Sequence, residues 1–161
     1  MKALRVFATM ALLAGAASAA SGQTSTQLVT FQVDAINQIA FIGSPSLVVN
    51  TATAGSAPTS ATANATWAVT TNQTGSKITA SLDSDMPAGL TLRVNLTAPT
   101  GGTSAGATVL ASTGGAVDVV TGITKKAQAG LNLTYTLDAT VAAGVVTSST
   151  RTVTYTITGG T

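Results

Sequence analysis

Gln27 to Ile42 reads QLVTFQVDAINQIAFI, the first long apolar-alternating stretch after a hydrophobic N-terminus. Val29, Phe31 and Val33 share one face of an extended strand, with Leu28, Thr30, Gln32 and Asp34 on the other. Its 16 residues, at about 3.4 Å each, would reach roughly 54 Å, about three times an ordinary strand. One short sheet cannot hold all of that. The stretch must bend into two sheets or leave its first part to be covered by another molecule. Asn37-Gln38 interrupts the alternation before Ile39 and Phe41 resume it, which places the expected bend near Ala35 to Gln38. Val29, Phe31, Val33, Ile36, Ile39 and Phe41 are therefore the candidate assembly strand. Ile39 to Ile42 is expected to join its own domain, and the partner of Val29, Phe31 and Val33 decides the function.

Downstream, Ser46 to Thr53 reads as a strand, Ala54 to Asn64 as a loop, and Trp67 with Val69 as a short strand closing at an Asn72–Gly75 hairpin turn. Ile78, Ala80 and Leu82, then Leu90, Leu92, Val94 and Leu96 after Met86-Pro87-Ala88-Gly89, keep strict period two and read as a hairpin. Ala107–Ala111 and Ala116–Val120 are shorter strands around Gly114-Gly115. Leu131 to Leu137 alternates cleanly and runs on to Val141, and Arg151 to Thr158 turns Val153, Tyr155 and Ile157 inward. Roughly eight or nine short strands predict an all-β fold, an antiparallel β-sandwich of immunoglobulin-like or jelly-roll topology.

Residues 1–20 carry Lys2 and Arg5, an apolar run from Val6 to about Gly15, and Ala17-Ser18-Ala19, the three parts of a cleaved secretory signal. Residues 21–26 then form a flexible leader and 27–161 one domain, with an extracellular or cell-surface location and no membrane span after cleavage. Losing Lys2 and Arg5 leaves five basic residues against Asp34, Asp83, Asp85, Asp118 and Asp138. A neutral chain with only Lys125-Lys126 adjacent offers no nucleic-acid footprint. The absence of cysteine removes disulfides. Stability must come from the core, the sheets or neighbouring subunits. Charged residues are 7% of the chain, far below the roughly 25% of ordinary domains, a composition that favours association between chains.

With no His, Cys or Glu, the usual catalytic bases, thiolates and zinc ligands are missing, so no catalytic residue, enzyme activity or cofactor is expected. Ser76-Lys77 would place its two side chains on opposite faces of a strand, and its bland reading is a solvated turn. Asp83 and Asp85 are calcium-ligand candidates by spacing, although no further carboxylate is close in sequence; turn capping is the simpler role. Trp67 is a candidate glycan contact whose apolar neighbours favour core packing. Asn64, Asn72, Asn95 and Asn132 head glycosylation sequons. Gly159-Gly160 reads as a flexible tail, and Lys125-Lys126, with Asp118 nearby, as a solvated loop.

The layout of signal, LVTFQVDAINQIAF and a Thr/Val-rich body ending in RTVTYTIT resembles secreted bacterial fimbrial or pilin-like β-sandwich subunits. The resemblance implies a groove filled by an extended segment of a neighbour. The chain departs from such subunits in having no disulfide, and Tyr155 lies six residues before the end, which implies a different or chaperone-free assembly route. The expected function is a structural subunit of an extracellular filament, fimbria or biofilm matrix that homo-polymerises by strand donation. The alternative is a monomeric surface adhesin or carbohydrate-binding module.

Overall fold

Alternating branched apolar residues with Thr, Ser and Asn gives each extended segment one dry face, and two dry faces stack. The computed structural model describes residues 21–160 and contains nine strands. The expected signal peptide lies outside the described residues. The chain divides after Gln32: Val33–Thr161 make the compact unit, while residues 21–32 are exposed and without regular secondary structure.

The strands are β1 (Asn37–Ile42), β2 (Ala61–Thr71), β3 (Ser76–Leu82), β4 (Leu90–Leu96), β5 (Thr103–Ser104), β6 (Thr108–Leu110), β7 (Val117–Ile123), β8 (Lys126–Ala139) and β9 (Val153–Thr158). One sheet runs β1-β2-β8-β4-β6 and the other β5-β7-β3-β9, every pairing antiparallel. The expected all-β sandwich is therefore present. Trp67, Ile78, Val94, Leu96, Val119, Val120 and Leu133 form the centre of its core, all buried.

Several local expectations are corrected. β3 and β4 are not a hairpin: β3 pairs with β7 and β9, whereas β4 pairs with β8 and β6. Period two tells which face a residue presents but not which strand lies beside it. The link from Asp83 to Gly89 crosses between sheets stacked about 10 Å apart. The Asn72–Gly75 turn likewise passes from one sheet to the other. Ser46 to Thr53 forms no strand beyond an isolated Ala52–Pro58 bridge. Leu47 packs on the core while Val48 faces out, as on a strand, but the segment joins no ladder. Conversely, β2 begins at Ala61, inside the expected loop, because small Ala63 and Ala65 sit opposite large Tyr135 and Leu133. Asn37-Gln38 makes no bulge, since β1 starts at Asn37 and keeps an unbroken register with β2; the change from irregular chain to strand falls just before it.

The chain end is also placed rather than loose. A Cβ at Gly159 would collide with the Gln73 side chain, and one at Gly160 with the Thr74 carbonyl, so both lie against the β2–β3 turn. Gly89 is more constrained still. Its φ is +81°, and a Cβ there would stand 2.7 Å from the Ala143 nitrogen, in the 3-10 turn Val141–Ala143 that follows β8. Gly114, at φ +96°, has open space around it. Gly89→Ala should therefore cost about 2 kcal/mol or more of unfolding free energy and Gly114→Ala about 1 kcal/mol. Urea unfolding followed by Trp67 fluorescence reads the difference; equal costs would show that the Ala143 contact is slack.

Candidate functional site

A sandwich of two open sheets has four edges, and here they are unequal. At one side the edge strands are β6 and β5, of three and two residues. Short edges offer little template for further pairing. At the other side stand β1 and β9, six residues each. Their sequences, NQIAFI and VTYTIT, contain no charge and no proline, the residues that commonly guard an edge. Each hydrogen-bonds a single neighbour, β2 and β3 respectively, and no ladder joins β1 to β9.

The core is thin along this side. The inward residues of β1 and β9 (Ile39, Phe41, Val153, Tyr155 and Ile157) are only partly buried, whereas their counterparts on β3 are fully enclosed. Phe41 stacks across the two sheets on Tyr155 with centroids 4.1 Å apart, and within its own sheet on its register partner Trp67 at 6.2 Å. The Tyr135 and Tyr155 hydroxyls bond each other at 2.8 Å. Burial pushes the pKa of both phenols up, so they stay protonated.

The second feature is the segment ahead of β1. Phe31 is 89% exposed, Val33 78% and Val29 71%, with Leu28 more exposed still. Single exposed apolar residues are ordinary, but a row of them on one short segment calls for a cover. The six candidate assembly residues thus divide. Val29, Phe31 and Val33 are exposed, Ile36 is partly so, and Ile39 and Phe41 pack against the core from β1.

The other singled-out residues fall into structural roles. Trp67 is fully buried, so its ring is closed to a glycan and the core reading holds. Its indole nitrogen is buried without a hydrogen-bond partner. Ser76 is buried against the Thr71 hydroxyl, not in a solvated turn, while Lys77 faces outward and pairs with Asp118 at 3.0 Å. Asp118 thereby belongs to Lys77 rather than to Lys125-Lys126. Arg93 pairs with Asp138 at 3.0 Å. Among the sequons, the Asn64 and Asn95 carbonyl oxygens accept hydroxyl bonds from Thr134 and Ser104, and Asn72 is engaged with Asp34 and Ile36.

Asp83 accepts the Ser84 N–H at 2.8 Å. The Asp85 carboxylate takes the N–H and hydroxyl of both Ser112 and Thr113, tying the β3–β4 link to the β6–β7 link. No group of three or more metal-ligating side chains occurs among the described residues. The Thr113 hydroxyl and N–H and the Ser112 N–H hold the Asp85 carboxyl well below the usual carboxylate range. A carboxylate whose folded pKa is depressed stabilises above its unfolded pKa, about 3.9, and loses that contribution as pH falls towards the folded value. Asp85→Asn should therefore lower stability at neutral pH and flatten the decline below about pH 4. Thermal unfolding from pH 7 to pH 2 checks this; parallel pH profiles for variant and parent would refute it.

Compared with protein-family models, curated proteins and solved structures, the chain matches none.

Proposed function

We propose that the chain is a secreted structural subunit of an extracellular filament, fimbria or surface matrix. In this reading each copy donates Val29 to Val33 to the open side of the next, between β9 and β1. The observation that carries it is the coexistence of two complementary features. One is an exposed row of alternating apolar side chains. The other is a pair of uncharged six-residue edges over a half-covered core.

The physical fit is direct. A strand laid beside β9 would satisfy unpaired edge groups at about 0.5–1.5 kcal/mol per hydrogen bond. Covering Phe31, Val29 and Val33 is worth about 1.5–3 kcal/mol per side chain. The half-buried Val153, Tyr155 and Ile157 would gain a cover as well. Export is supported by the signal pattern of residues 1–20, and self-association by a composition with 7% charged residues.

The mature chain should form filaments visible by negative-stain microscopy. Deleting residues 21–33 should leave it unable to polymerise, and Phe31→Asp should lower subunit affinity by at least about 2 kcal/mol while leaving thermal unfolding of the domain unchanged. Light scattering with microscopy measures both. Normal polymerisation of the truncated chain would rule strand donation out, and a monodisperse parent that binds a glycan would favour the adhesin alternative.

A further inference from the structure

We infer that the side-chain amide of Asn72 is a positioning clamp that sets the path and face of the chain as it leaves β1 towards the apolar row. The inference rests on the strand-donation reading for its functional meaning, though not for its geometry.

The β1–β2 ladder has its last register pair at Asn37 and Thr71. One further backbone bond follows, from the Asn72 N–H to the Ile36 carbonyl at 3.2 Å. Beyond that point β2 turns away towards β3, and an edge strand would ordinarily fray. Instead, Asn72 Oδ1 accepts the Ile36 N–H at 2.8 Å, and Asn72 Nδ2 donates to the Asp34 carbonyl at 2.7 Å. A carboxamide carries the same carbonyl acceptor and N–H donor as a peptide group. One side chain therefore replaces the strand backbone that the turn removed and holds Asp34 to Ile36 alongside it.

The clamp stands on a braced base. Gln73 N–H bonds the Thr71 hydroxyl at 3.1 Å, Asn37 Nδ2 donates to Gln73 Oε1 at 2.6 Å, and Lys125 N–H bonds the Gln73 carbonyl at 2.9 Å. A turn tied to two other segments cannot follow the departing chain. Face matters here because a one-residue slip in an extended segment reverses every side chain. By holding Asp34 to Ile36, the clamp fixes which face Val33 presents. It is a positioning residue and need not touch the neighbouring subunit.

The test uses the full mature chain and its Asn72→Ala and Asn72→Asp variants. At pH 7, Asn72→Ala should speed exchange of the Ile36 amide roughly 3- to 10-fold, the weight of one hydrogen bond. It should also slow assembly at least about tenfold by light scattering, with the thermal midpoint unchanged. Asn72→Asp should be equally slow at pH 7, where the carboxylate cannot donate and repels the Asp34 carbonyl. Near pH 3, where a carboxylic acid again carries donor and acceptor, it should recover the parent's rate. Lys125 and Lys126 line the same hollow as Ile36 and Asn72, so Asn72→Ala, which keeps those charges and adds no carboxyl, is followed at both pH values. A loss of packing or a general effect of pH would show no rescue confined to Asn72→Asp. A synthetic peptide of residues 27–36 in excess should cap parent and Asn72→Ala chains alike, because the accepting edge is untouched. Parent and variants assembling at equal rates would overturn the clamp while leaving strand donation standing. A parent chain that never assembles and never binds the peptide would overturn strand donation, and the Ile36 exchange alone would then judge the clamp.

Discussion

A β-strand at the rim of a sheet faces two unmet demands, since its outer N–H and C=O groups need partners and its inward side chains need a roof. Everything distinctive in this protein follows from meeting those demands at one side and leaving them open at the other. β5 and β6 are so short that little is exposed. β1 and β9 are long, neutral and only partly roofed, with Phe41 on Tyr155 acting as the one aromatic bridge between them. A freely diffusing domain would be expected to guard such a rim.

Composition makes that choice more consequential. With no cysteine and few ion pairs among the described residues, the fold is held by its core and its ladders. Lys77–Asp118 and Arg93–Asp138 lie at the surface and contribute little. Polar fixation is instead delegated to short uncharged or singly charged networks: Asp85 with Ser112 and Thr113, and the Asn37–Thr71–Gln73 cluster beside Asn72. These sit at the ends of strands, where loops cross between sheets and backbone groups would otherwise lack partners.

The sheet architecture is legible in the sequence wherever large apolar residues alternate without a break, as at Leu131 to Leu137, Leu90 to Leu96 and Val153 to Ile157. It is illegible at Ala61 to Ala65, whose inward residues are too small to stand out, and at Leu47 to Val49, where three apolar neighbours mimic a strand. Pairing is harder still. Ile78 to Leu82 and Leu90 to Leu96 look like partners because they are consecutive, yet each finds its neighbours elsewhere. The apolar row at Val29 to Val33 is visible from residue types alone, but which edges lie open emerges only from strand order. Asn72 gave no signal beyond a turn and a sequon, since its role depends on Ile36 arriving beside it from 36 residues away.

β9 is fastened at both ends. Arg151, just before it, donates to the Asp85 carbonyl, and Gly159 and Gly160, just after it, lie against the β2–β3 turn. Between those points it shares six register pairs with β3. Force applied along such a strand acts in shear, loading the ladder collectively instead of peeling it open bond by bond. The same ties that hold β9 against its one neighbour would make a pull along this edge load all six pairs together.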